Sequence, residues 1–80
     1  MRVTSNHYIL LKMKTINIGG VDLTYEEYGM LLIIHYWFSD ISKEDLVCEA
    51  QRRYKDSYEV SIIRSILQKM EDNKVDHITI

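Results

Sequence analysis

The sequence predicts an α+β domain made of an N-terminal β-hairpin, three helices forming the core and a short C-terminal strand. Three observations carry this. A glycine pair, Gly19-Gly20, separates two short runs rich in β-branched residues. Two segments open with the same Ser/Thr-x-x-acid signal, at Thr24 and at Ser42. A third stretch with helical apolar spacing ends near Asn73, ahead of a β-rich tail.

Taken in order, residues 8–11 and Thr15–Ile18 read as strands because β-branched and aromatic residues dominate them. Gly19-Gly20, between Ile18 and Val21, is the kind of pair that accepts positive φ in a two-residue hairpin turn. A strand pair, or three short strands, is therefore expected before the first helix. Thr24-Tyr25-Glu26-Glu27 is a capping box, in which Thr24 and Glu27 each satisfy a backbone N–H of the other. Leu23 and Tyr28 stand at the spacing of a hydrophobic staple. The helix they open runs to about residue 38 and is apolar nearly all round, the pattern of a buried central helix.

The same grammar recurs at Ile41-Ser42-Lys43-Glu44-Asp45-Leu46. Ser42 is the cap, Asp45 a shorter stand-in for glutamate, and Ile41 can staple to Leu46. Leu46, Val47, Ala50 and Tyr54 then fall on one side of a second helix. After a break at Lys55-Asp56-Ser57, residues 58–72 read as a third helix. Its apolar arc comprises Val60, Ile63, Ile66, Leu67 and Met70, with Ile62 at the edge. Asn73 suits a helix C-terminus, and residues 75–80 read as a last strand. Strands, helix, helix, tight turn, helix, strand is the layout of a winged helix, with the second and third helices as a helix-turn-helix.

Eighty residues make one domain, and a chain this short buries roughly 60% of its unfolded surface. A ligand cavity of about 300 Å³ or more would have to displace that core, so neither a cofactor nor a small-molecule substrate is expected. Net charge is −2 and unevenly spread. Up to Leu23, Arg2, Lys12 and Lys14 face Asp22 alone; from Thr24 onward seven basic residues face eleven acidic ones. A basic signature for nucleic acid over the whole domain is missing. Cys48 is the single cysteine, which suits a reducing, cytoplasmic compartment. The longest apolar stretch, residues 30–38, is too short to span a bilayer, and no signal-peptide pattern opens the chain. Eleven isoleucines, one alanine and no proline point to an AT-rich coding sequence, as in a bacteriophage or a low-GC bacterium.

Leu23-Thr24-x-x-Glu27-Tyr28-x-x-Leu31 after a hairpin resembles the start of the effector domain in OmpR/PhoB-type response regulators. Ile41-Ser42-Lys43-Glu44-Asp45-Leu46 is similar to that family's Val-Ser-Arg-Glu-Glu-Leu at the second helix. The likeness spans about residues 15–70 and rests on caps and core, with Ile63, Ile66 and Met70 completing the skeleton. It implies a winged-helix architecture. The family's basic recognition helix is absent, since Ser65-Ile66-Leu67-Gln68-Lys69 keeps one charge. Ile78-Thr79-Ile80 supplies one strand of the wing at most.

Candidate working residues follow from the helix wheels. Tyr58, Ser61, Arg64, Ser65 and Gln68 lie opposite the apolar arc of the third helix. Arg can bridge guanine O6 and N7, Gln can bridge adenine N6 and N7, and Ser permits close approach. Arg52, Arg53 and Lys55 form a basic run that can neutralise phosphates or complement the helix dipole. Lys12 and Lys14 can extend that surface or guard an edge strand. Met30, Ile33 and Trp37 form a second candidate, a patch for a partner if the sheet leaves it uncovered. His7, His35 and His77 are isolated, with His35 expected as a satisfied core residue. Cys48 is expected to be an exposed, unactivated thiol. No metal spacing or catalytic constellation is present.

The sequence therefore points to a binding module and not an enzyme. The first expectation is a small winged-helix regulator of double-stranded DNA. The alternative is a protein-binding inhibitor or modulator of a host protein, possibly phage-encoded, on the same fold. A homodimer is compatible with both.

Overall fold

The computed structural model describes residues 14–80. The strand expected over residues 8–11, together with Arg2, His7 and Lys12, lies outside them. Strand β1 (Thr15–Ile18) pairs antiparallel with β2 (Val21–Thr24), Ile18 opposite Val21 and Thr15 opposite Thr24. The turn between them has φ of 62° at Gly19 and 91° at Gly20, the two positive angles that a type I′ hairpin needs. The Asn17 side chain braces it, donating to Asp22 Oδ1 at 2.8 Å and accepting from the Gly20 N–H at 3.3 Å.

Helix α1 (Tyr25–His35) starts at the expected capping box: Thr24 Oγ1 accepts from the Glu27 N–H, and Glu27 Oε1 accepts from the Thr24 N–H. It stops at His35, three residues short of the expected end, and Tyr36 to Phe38 turn back onto the Ile33 and Ile34 carbonyls. Strand β3 (Asp40–Ser42) follows, which the sequence reading did not anticipate. Ser42 serves two purposes, as last residue of the strand and as cap of α2 (Lys43–Arg52), where Asp45 closes the second box. Helix α3 (Glu59–Asp72) starts at Tyr58, whose side chain makes no cap bond. Strand β4 (His77–Thr79) then pairs antiparallel with β3, Ile41 opposite Ile78.

The end of α3 is a Schellman motif. Lys74, at φ 55°, is the left-handed residue. The Val75 N–H reaches the Met70 carbonyl and the Lys74 N–H reaches that of Glu71. Asn73, expected at this end, caps the helix one residue earlier and donates its side-chain amide to the Lys69 carbonyl.

One core joins all elements. Val21 and Leu23 of β2, Leu31 and Ile34 of α1, Ile41 and Ile78 of the second strand pair, Leu46 of α2, and Ile63, Ile66 and Met70 of α3 are fully buried. Burying a side chain of this size contributes roughly 1.5–3 kcal/mol. Two readings need correction. Val47, expected among the core residues of α2, is exposed, because α3 covers only the Leu46–Ala50 side of that helix. Helix α1 is also not buried all round: Tyr25, Leu32 and Ile33 face solvent, as do Tyr36 and Trp37 just beyond it. The two strand pairs are separate two-stranded sheets, too small to cover a second face of the helix.

Candidate functional site

Residues on the third helix were expected to form one outward polar face, and they separate by partner. The Ser65 hydroxyl donates to Glu27 Oε2, and Lys69 Nζ donates to Glu27 Oε1 at 2.7 Å and to the Asp22 carbonyl at 2.9 Å. Tyr58 donates its hydroxyl to Glu26 Oε2 at 2.6 Å. Both carboxylates belong to the first turn of α1, so Tyr58 and Ser65 turn toward that helix. Ser61 returns its hydroxyl to the Tyr58 carbonyl, and Gln68 donates to Asp72 Oδ1 at 2.9 Å. Arg64 is exposed over the groove between α2 and α3, beside Val47, Gln51 and Leu67.

Glu27 is the centre of this polar cluster and is only 4% exposed. Burial by itself raises its pKa. The hydrogen bonds from Lys69, Ser65 and the Thr24 N–H, with the charge of Lys69, outweigh it and hold the carboxyl below its ordinary value. This is a structural clamp of α1 against α3 and β2. Elsewhere, the Glu71 hydrogen bond raises the Lys43 pKa, and burial raises that of the Tyr54 phenol.

The basic run also divides. Arg53 Nε bonds to the buried carboxylate of Glu49 at 2.9 Å, and its guanidinium lies 4.7 Å from the Trp37 ring centroid. Arg53 is thus shared between an indole face and a carboxylate, with about half of its side chain exposed. Arg52 and Lys55 are exposed.

The second candidate patch is rearranged. Met30 is a correction: it is 3% exposed and belongs to the core, because it lies on the flank of α1 that turns inward. Ile33 and Trp37 are both 55% exposed. They are joined by Tyr36 at 81%, whose ring meets Trp37 edge-on with centroids 4.9 Å apart, and by Leu32 and Tyr25. Sequence reasoning missed Tyr25, Leu32 and Tyr36. The signal was present, since Tyr25, Leu32 and Tyr36 fall within about 40° of one another on a 3.6-residue wheel. An all-apolar helix concealed which side the fold would leave open.

Gly29 lies in the middle of this open face, and a methyl group placed on it would meet none of the described residues within 4 Å. His35 departs from the expectation of a satisfied core histidine. It is half-buried and its Nδ1 has no hydrogen-bond partner among the described residues. Cys48 is half-buried rather than exposed. Among the described residues no three His, Cys, Asp or Glu side chains cluster as a metal site, and no helix is long and apolar enough to cross a membrane. No family model, curated protein or solved structure matches this chain.

Proposed function

We propose that this chain is a non-catalytic protein-interaction module on a winged-helix-like frame, and that its contact surface is the outward face of α1. The architecture is supported by β3, which lies between α1 and α2 and pairs with β4 after α3. The single observation that carries the function is the exposure of Tyr25, Leu32, Ile33, Tyr36 and Trp37 together. The largest contiguous apolar patch on a monomer, typically about 300–600 Å², is often an interaction site. Tyrosine, tryptophan and arginine are the residues that dominate binding energy at such sites.

DNA binding is the weaker reading. Of the residues expected to face a groove, Tyr58 and Ser65 bond to carboxylates of α1 and Gln68 to Asp72. Carboxylates beside those donors would repel the phosphate backbone. The deciding experiment compares Leu32→Glu with Arg64→Ala. The proposal expects Leu32→Glu to abolish protein association, while Arg64→Ala leaves it intact and duplex DNA at ~50 mM salt shows no saturable binding. Salt-sensitive DNA binding that is lost in Arg64→Ala and kept in Leu32→Glu would refute it.

A further inference from the structure

Resting on that reading, we infer that the partner on this face is a second copy of the chain, packed antiparallel through α1 about a two-fold axis. The seam is exposed Tyr25, Leu32 and Tyr36 with half-buried Gly29 between them, at spacings of four, three and four residues. That spacing reads the same in both directions. It is compatible with a two-fold contact, in which residue i meets j while j meets i. Centred between residues 30 and 31, the pairing sets Tyr25 against the second copy's Tyr36, and Leu32 over the second copy's Gly29.

Gly29 supplies the independent argument. Glycine inside a helix is less favourable than alanine by about 1 kcal/mol, and no neighbour among the described residues requires the missing side chain. A leucine arriving from outside does require it. The gap above Gly29 is the hole, and Leu32 is the knob.

The flanks agree in charge. Glu26 follows Tyr25 and Trp37 follows Tyr36, each rotated about 100° in the same sense, and an antiparallel two-fold keeps each flank on its own side. Glu26, whose Oε2 accepts from Tyr58 within its own chain, therefore lies on the same side as the Trp37–Arg53 pair of the second copy at both ends. Three aromatic rings of about 200 Å² each, half to four-fifths exposed, and two aliphatic side chains place roughly 600 Å² on this face of each copy. Complete cover of both faces, the Trp37 flank included, is needed to reach the roughly 1,000 Å² expected of a specific interface.

The test is sedimentation equilibrium of the full 80-residue chain from ~1 to ~500 μM. The expected result is twice the chain mass, with dissociation at least tenfold easier in Leu32→Glu and in Gly29→Ala. Folding is checked by circular dichroism, and Gly29→Ala controls for it because alanine favours the helix. Orientation is read from cysteine cross-linking in a Cys48→Ser background. Tyr25→Cys mixed with Tyr36→Cys is expected to link as a heterodimer, while each alone links poorly. Like positions in the pair stand about 16 Å apart at 1.5 Å per residue, beyond disulfide reach.

A monomer throughout the range overturns the inference. If that monomer loses capture of another protein on Leu32→Glu, the interaction reading survives with a different partner. If its Trp37 is instead shielded from quenchers, the face belongs to the chain's own residues 1–13. A dimer indifferent to both substitutions, or one in which each cysteine variant links to itself, overturns the inference equally.

Discussion

Replacing Glu27 by glutamine tests the clamp that fixes α1 on α3. The wild-type carboxylate accepts three bonds, from the Thr24 N–H, the Ser65 hydroxyl and Lys69, while the Glu27 backbone N–H donates to Thr24 Oγ1 to complete the cap. Glutamine still accepts from Thr24, since Gln also serves in capping boxes, and the Ser65 hydroxyl can turn to accept from the new amide. What is lost is the charge that assists the Ser65 and Lys69 bonds. A hydrogen bond to a charged group contributes about 1.5–3 kcal/mol against about 1 for a neutral one. The Lys69 side chain is about a third exposed, so its share is discounted for solvent screening. The expected loss is about 1–2 kcal/mol at pH 7, read from urea denaturation at fixed protein concentration.

The sign of the pH dependence follows from the lowered pKa. The unfolded carboxyl titrates near 4.3, above the folded one, so the stabilisation is fully present above that value. It is lost as pH falls through the folded pKa. The difference between wild type and Glu27→Gln should therefore shrink toward zero in acid. A difference that is constant from pH 7 to pH 3, or a neutral variant at pH 7, would refute the clamp.

Other outcomes follow from the same geometry. Ile41→Ala or Ile78→Ala, which face each other across the second strand pair at full burial, should each cost about 2–5 kcal/mol in denaturant unfolding. Ser42→Ala removes the cap of α2 and should cost about 1 kcal/mol in the same assay. Lys74→Gly, which relieves a left-handed residue at φ 55°, should raise stability by about 1 kcal/mol. Gly20→Ala, at φ 91°, should lower it by about 1–2 kcal/mol. For the functional surface, Ile33→Lys should leave the denaturation midpoint of the monomer unchanged within error while abolishing association in sedimentation.

Local signals in the chain determined most of the frame. Gly19-Gly20 specified a hairpin turn because positive φ is cheap only for glycine. Thr24 with Glu27 and Ser42 with Asp45 specified two helix starts, because those side chains satisfy backbone groups within four residues. The apolar arc of α3 was legible from its period. Each of these is decided by neighbours in sequence. Strand β3 was not legible, since its partner β4 lies some 37 residues onward and Ser42 already carried the signature of a cap. The open face of α1 was concealed for a related reason. A helix apolar all round records no preferred side, so only the packing of β2 and α3 against Glu27, Met30, Leu31 and Ile34 decides it. The partition of Tyr58 and Ser65 toward α1, and of Arg53 toward Trp37 and Glu49, is likewise tertiary. Sequence determines which side chains can bond, and the approach of distant elements determines which of them remain for a partner.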